Sequence, residues 1–354
     1  MHMKLPVLVT LSVAVMLSAS ACSSSSSSTK EVVEGSTITL VTHDSFAVSD
    51  GILDAFTKAS GIKVTVAKGK DAGVMVNEAV LTKGKPVGDV LWGTDNTLLS
   101  RAVKEKIFRP YKSPELGKLD KAAVDLVPGG EATPVDRGDV CINTDTAYFA
   151  AKNLPAPTTL DDLADPRYKD LFVVPSAATS SPGLAFLLAT VAKYGPDKYV
   201  DYWKKLRANG VKIVDGWTTA YTVDFSGSSG KGTRPIVVSY GSSPPSEVTD
   251  PAATTAPTAV MESSCFRQVE FAGILAGTRH PLAAQKLIDF LLTDTFQADM
   301  PGQMYVFPAR SDVKVPDAWA KFAVLPKTPL VVSPSDIATN RDKWIKQWND
   351  AVLG

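Results

Sequence analysis

The chain has 354 residues, enough for two domains or for one large domain split into lobes. With 44% hydrophobic and 21% charged residues it can fill a sizeable core, and its 37 basic residues balance 37 acidic ones, which argues against a strongly basic nucleic-acid binder. Three cysteines are too few for a disulfide scaffold, three histidines without a CxxC pair leave little for a zinc site, and a single long apolar run, at the N-terminus, excludes a multi-span membrane protein.

That run comes first along the chain. Lys4 supplies a positive start, and residues 5–17 are apolar apart from Thr10 and Ser12. Its length suits the core of a signal peptide and is too short for a mature membrane-spanning helix. Small residues, Ser18 to Ala21, lead directly to Cys22. A Cys after small residues resembles the lipobox of bacterial lipoproteins, although Ala19 stands where that family usually has Leu. The resemblance implies cleavage before Cys22 and a lipid on its sulfur, holding the protein at the outer face of the cell membrane. The alternative is an ordinary signal peptide cut nearby. The six serines 23–28 cannot bury apolar area and read as a flexible tether. Residues 1–21 are thus expected to be the signal peptide and 22–34 a lipidated Cys with a Ser-rich tether. Losing Lys4 takes the balance from 37 − 37 to 36 − 37, a mature charge of −1.

The body alternates strands and helices. Residues 37–42 form a β-rich run, and 52–60 have helical spacing between Asp50 and Gly61. Strict alternation over 62–66 predicts a strand, 74–82 a helix, and 89–92 the next strand. Strand, helix, strand, helix, strand within about 55 residues is the pattern of an open, parallel, doubly wound sheet. Further strands are predicted at 139–143, 172–175, 211–214, 235–239 and 267–271, and helices at 183–194 and 281–292. Trp344 and Trp348, four apart, mark a final amphipathic helix. Residues 226–234 and 249–257 read as exposed loops, and no fixed-period repeat is present.

Catalytic signatures are scarce. GxSxG, HExxH and GxxxxGK[ST] are all missing, and the glycines 227–232 precede a strand rather than open a helix. A Ser/His/Asp arrangement would have to use His43, since His2 leaves with the leader and His280 follows Arg279 just before a helix. The sequence therefore predicts a binding protein rather than an enzyme, with no cofactor and no metal.

Polar and aromatic groups gather just after strands. His43, Asp44 and Ser45 follow the first; Asp95 and Asn96 follow 89–92; Ser180 and Ser181 follow 172–175; Trp217 follows 211–214; Tyr240 and Ser243 follow 235–239. In open α/β sheets ligands bind at the carboxyl ends of strands, so these five segments are expected to face one cleft. Trp217, Tyr221, Tyr240 and Tyr305 offer flat π faces, while Asp44, Asp95 and Asp215 offer negative charge. A flat cationic heterocycle would suit both. Ser180 and Ser181, ahead of a helix N-terminus, would suit a hydroxyl or phosphate tail. Apart from Cys22, Cys141 and Cys265 are left, as one bridge or as two buried thiols.

These motifs, Asp44-Ser-Phe-Ala47, Thr94-Asp-Asn96, 179–184, Gly216-Trp217 with Tyr221, Val238-Ser-Tyr240 with Ser243, and Gln268-Val-Glu270, in this order, resemble the substrate-binding proteins of bacterial thiamine ABC importers. The resemblance covers about residues 37–350. It implies the two-lobed type II periplasmic-binding-protein fold, each lobe an open, mostly parallel sheet flanked by helices, with the ligand cleft between lobes. Residues 35–138 with 270–354 would form the first lobe and 139–269 the second. It implies thiamine or a thiamine phosphate as ligand, an ABC permease and its ATPase as partners, a monomer, and closure about a hinge. Cys141 and Cys265 would lie beside the two crossings, which favours a bridge between them. Trp217 and Tyr240 look like stacking positions, Asp44 and Asp95 like polar contacts to the cation, and Ser180 and Ser181 like contacts to the hydroxyethyl or phosphate end; Asn96, Tyr221 and Ser243 complete the expected set. His43 stands where better-known members have Tyr, and Met304 or Tyr305 where they have Trp. A polyamine binder, a ferric-ion binder (which would usually show adjacent tyrosines) and an extracytoplasmic thiamine-processing enzyme are the rival readings.

Overall fold

The computed structural model describes residues 35–228 and 231–354. The expected signal peptide, Cys22 and serine tether lie outside the described residues. Two sheets organise the rest. The first contains β1 (Thr37–Thr42), β2 (Lys63–Lys68), β3 (Val90–Asp95), β4 (Phe108–Arg109) and β5 (Thr133–Arg137). The chain then crosses into the second, with β6 (Val140–Asp145), β7 (Phe172–Pro175), β8 (Lys212–Val214), β9 (Ile236–Tyr240) and β10 (Thr258–Phe266). It returns to the first sheet with β11 (Val269–Leu275) and β12 (Phe307–Pro308). Strand order is β12-β5-β11-β3-β1-β2, with β4 beside β11, in one sheet and β10-β6-β9-β7-β8 in the other.

Each sheet is mixed, a correction to the mostly parallel expectation. β1 pairs parallel with β2 and β3, and β7 with β8 and β9. These are the strands linked through helices, where a crossover connection makes neighbours parallel. The strands that carry the chain between lobes pair antiparallel, β11 with β3 and β5, and β6 with β9 and β10. The crossings themselves are short, residues 138–139 and 267–268. They lie side by side: Gly138 N–H donates to Gln268 O at 3.2 Å, and Arg267 Nε donates to Asp139 Oδ1 at 2.6 Å. Cys141 on β6 and Cys265 on the adjacent β10 are joined as a disulfide, with Cα atoms 4.2 Å apart.

Helices cover the sheets: α1 (Ile52–Ser60), α2 (Ala72–Leu81), α3 (Leu99–Lys104) and α4 (Lys121–Val124) before the first crossing, then α5 (Thr146–Ala151), α6 (Ser181–Tyr194) and α7 (Tyr199–Ala208). After the return come α8 (Pro281–Leu291), α9 (Asp294–Met304), α10 (Asp317–Phe322) and α11 (Pro334–Val352). In the first lobe Trp92 packs between Phe46 and Phe296, with ring centroids 5.4 and 5.5 Å away. In the second, α6 is buried from Ser181 to Val191, which is why its sequence is apolar all round. Ser180 caps it by accepting from Gly183 N–H, and Pro182 sits in its first turn. The predicted tryptophan pair forms the inner face of α11: Trp348 meets Trp203 of α7 at 5.5 Å, edge to face. Helix α11 thus starts beside the first lobe and ends on the second, so it straps the two together.

Candidate functional site

Of the five segments expected to share a cleft, those following β1, β8 and the end of β9 meet at the junction of the lobes; those at the ends of β3 and β7 do not line the space. A cavity of about 40 Å³ there is lined by His43 and Ser45 after β1, Asp136 on β5, Trp217 after β8, Tyr240 on β9, Gln268 and Glu270 at β11, and residues 303–306. A larger apolar cavity of about 680 Å³ lies behind the hinge, between α3, α4 and the start of α11. A little over half of its lining is aliphatic, and Phe266 is the one aromatic ring there, so it offers no pair of ring faces for a flat ligand; the small cavity does.

One wall is aromatic. Trp217 is held by two bonds: its backbone N–H donates to Asp71 Oδ2 at 2.9 Å and its indole Nε1 to Ser239 Oγ at 2.9 Å. Tyr221, on a π-helical turn over Thr219–Asp224, stacks behind the indole at 5.1 Å and 12° between planes. Tyr221 is therefore backing for Trp217 and does not line the cavity; its hydroxyl donates to Glu247 at 2.9 Å. Tyr240 stands at 6.1 Å from Trp217, tilted by 54°. Opposite, Met304 Sδ accepts from Ala47 N–H, and Tyr305 adopts the left-handed backbone at φ 57° as α9 ends.

The floor is acidic. Glu270 on β11 is directly opposite Asp136 on β5 and Asp95 on β3. Like charges in that register repel, which disfavours ionising all three at once. Burial, then the neighbouring Glu270 charge, pushes Asp136 well above the usual carboxylate range. Burial opposes charge on Glu270 too, but His43, Asp136 and the Trp92 indole outweigh it and hold its pKa low. Trp92 Nε1 donates to Glu270 Oε2 at 2.8 Å, and His43 Nε2 lies 3.4 Å from Oε1. The geometry thus offers two carboxyls, the Glu270 one held to its charged form, and two ring faces around one space.

Several residues expected to touch the ligand support the walls instead. Asp95 is fully buried and accepts from Thr97 Oγ1 at 2.6 Å, from Leu98 N–H and from Gln268 Nε2 at 2.6 Å; burial raises its pKa to about 6. Asn96 clips β3 to the return crossing, accepting from Val269 N–H and donating to Arg267 O. Ser243 bonds Ser239 Oγ at 2.8 Å behind Trp217. Asp44 is half-buried beside the cavity without lining it, and the Asp215 side chain is exposed. Ser180 and Ser181, at the start of α6, face Asp71 rather than the cavity.

Asp71 was not anticipated. It follows β2 in the first lobe and caps α2, accepting from Ala72 N–H at 2.6 Å. Its carboxylate also takes N–H bonds from Ser181 at 3.2 Å and Trp217 at 2.9 Å, both in the second lobe. Two further contacts cross the same seam, Val74 N–H to Thr179 O at 3.3 Å and Ser242 Oγ to Tyr305 O at 2.7 Å, while Gln268 on the return crossing reaches Ser181 Oγ from Nε2 at 3.3 Å. Gly73 lies so near this seam that a Cβ there would meet Thr179 O at 2.6 Å. The lobes are closed on one another, and the cavity is far below the 300 Å³ or more typical of a small-molecule site. Entry of a ring system requires the seam to part. Asp136 was likewise missed, because β5 is short and carries Pro134; Gln268 and Glu270 were visible as a motif but not as cavity residues.

The model of the bacterial extracellular solute-binding protein family matches residues 85–329. A thiamine-binding periplasmic protein of Salmonella typhimurium is 28% identical over 324 residues, covering 89% of this chain and 93% of its own. One from Brucella suis is 27% identical over 322 residues, covering 88% and 91%. Among solved structures, a periplasmic thiamin binding protein superposes with TM-score 0.77 at 26% identity, over 89% of this chain and 96% of that one. The fructose-6-phosphate-bound periplasmic protein AfuA of Actinobacillus pleuropneumoniae shares the fold at TM-score 0.76 and 16% identity, over 90% and 99%.

Proposed function

This chain belongs to the bacterial extracellular solute-binding protein family, and on that premise we propose that it captures thiamine outside the cytoplasm and delivers it to an ABC importer. The observation that carries the reading is the meeting of two chemistries in one cavity: the ring faces of Trp217 and Tyr240, and the carboxyls of Glu270 and Asp136. Thiamine is a flat aromatic cation, so its rings gain from stacking and its charge from the carboxylate. The thiamine-binding relatives support the same ligand.

In this reading His43, Ser45, Met304 and Tyr305 complete the contact surface. Asp44, Asp95, Asn96, Tyr221 and Ser243 hold it in shape, and Ser180 and Ser181 act through Asp71. Residues 35–138 with 270–354 form one lobe and 139–269 the other, with α11 strapped across both. Ligand between the lobes stabilises the closed form over the open one, and the closed face is what a permease and its ATPase read. No bond is made or broken, so the work needs no catalytic group. Calorimetric titration of the mature protein tests the reading. One thiamine per chain is expected at submicromolar affinity, equivalent to more than about 8 kcal/mol. Heat from spermidine with none from thiamine or its phosphates would replace it with the polyamine alternative. Ferric ion is disfavoured, since no two of the nine tyrosines are adjacent in the sequence.

The same proposal places the protein on the outer face of the membrane through a lipid on Cys22, as a monomer with Cys141 and Cys265 oxidised. Intact mass after alkylation without reductant, on protein extracted from membranes, checks the anchor and the bridge together. A chain beginning at lipidated Cys22 with no alkylated thiol is expected. A mass with two alkylated cysteines would remove the bridge, and an unlipidated N-terminus would remove the anchor.

A further inference from the structure

The cavity already contains a basic group of its own. Among the residues that line it, His43 is the one basic side chain; no Lys or Arg is present. The imidazole is 7% exposed, anchored at Nδ1 to Ser45 Oγ at 2.9 Å, and turned so that Nε2 lies 3.4 Å from Glu270 Oε1. Glu270 has no other fixed cation within ion-pair distance among the described residues. The remaining groups facing this pair are acidic or phenolic. Asp44 adjoins His43 on its own segment, and Asp71 approaches from the start of α2. Asp136 and Asp95 flank Glu270 from β5 and β3, and Tyr240 closes the side from β9. Burial would pull the imidazole toward neutrality, but Glu270, Asp71 and Asp44 outweigh it and raise its pKa above the ordinary value. In the ligand-free site His43 and Glu270 thus face each other, each favouring the charged form of the other.

A ligand cation entering here meets that pair. Glu270 is one carboxylate, and two positive charges cannot share it at close range in a space from which water is excluded. We propose that His43 is a built-in competitor for the ligand: its imidazolium holds Glu270 in the empty site and gives up its Nε2 proton to solvent when a cationic ligand takes over that carboxylate, so that each capture expels one proton. The proposal rests on the reading of the site as a cation site, and it adds that a permanent cation, which cannot relieve the repulsion by losing a proton itself, must expel the one on His43. A site with Tyr at this position would release none.

The sign is fixed by linkage. A binding step that releases a proton tightens as pH rises, by about tenfold per pH unit while His43 is protonated in the free protein, and levels off above its pKa. Calorimetry of the mature protein with thiamine at about pH 6, in two buffers of different ionisation enthalpy, counts the protons. About one proton released per thiamine is expected for the native chain, and close to none for His43→Gln and His43→Tyr. Proton NMR follows the imidazole directly and separates it from His280. The His43 ring is expected to titrate above the ordinary value when free and to lose its proton on saturation with thiamine. Binding without proton release would overturn the proposal, and so would release that persists in both variants, which would make Asp136 the source. Failure of thiamine to bind at all would instead sink the ligand assignment.

Discussion

Replacing Trp217 by Ala is expected to weaken thiamine binding by about a hundredfold, close to 3 kcal/mol. The indole is the one cavity face locked on three sides: by Asp71 at its backbone, Ser239 at its N–H and the Tyr221 ring behind it. A ring held so rigidly loses little freedom when a ligand stacks on it, which is what makes an anchor strong. Truncation to Ala leaves Ser239 still bonded to Ser243, so no buried hydroxyl is orphaned and the loss reads out as lost stacking. Trp217→Phe keeps a face but loses the Ser239 bond, and an intermediate loss of about tenfold is expected. Calorimetry gives the affinities, and thermal unfolding of the same samples separates binding from folding. Affinity unchanged in Trp217→Ala would move the stacking site elsewhere.

The second large effect is expected at Asp71. Asp71→Ala removes the acceptor for Ser181 N–H and Trp217 N–H, which are buried when the lobes meet. An unpaired buried N–H costs roughly 1–3 kcal/mol, so the closed form loses about 3 kcal/mol relative to the open one. The open form, where water reaches those groups, loses only the α2 cap, about 1 kcal/mol. Two readouts should follow: thiamine affinity down by about a hundredfold, and a larger radius of gyration by small-angle scattering without ligand. Asp71→Asn keeps one acceptor and is expected to fall between. If Asp71→Ala bound thiamine as tightly as the native chain with an unchanged scattering profile, the carboxylate would be a helix cap and nothing more.

Trp217 and Tyr240 were readable in the sequence because each follows a short β-branched run, and the carboxyl ends of such strands meet in any sheet of this class. Asp71 was not readable. It too follows a strand, but in a run of Gly and Lys that reads as an ordinary turn, and its partners are backbone groups 110 and 146 positions away. Asp136 was hidden for a different reason. Its strand is five residues long with a Pro in it, and the upward push on its pKa comes from burial and from the Glu270 charge opposite it in the register. Asp95 reads as a ligand contact from its position at the carboxyl end of β3, yet Thr97, Leu98 and Gln268 occupy its oxygens. Strand ends can be located from pattern, whereas the direction a carboxylate takes once there is decided by neighbours the pattern does not list.

The seam between the lobes is built largely from groups that every residue carries. Asp71 binds two backbone N–H groups, Val74 N–H meets a backbone carbonyl, and Ser242 bonds the carbonyl of Tyr305. Few of those atoms belong to the side chains that would recognise cargo. On the proposed reading, exchanges at His43 or Met304 would alter cargo preference while leaving these seam bonds in place. A single chassis of this kind can be re-equipped for a new nutrient without relearning how to move.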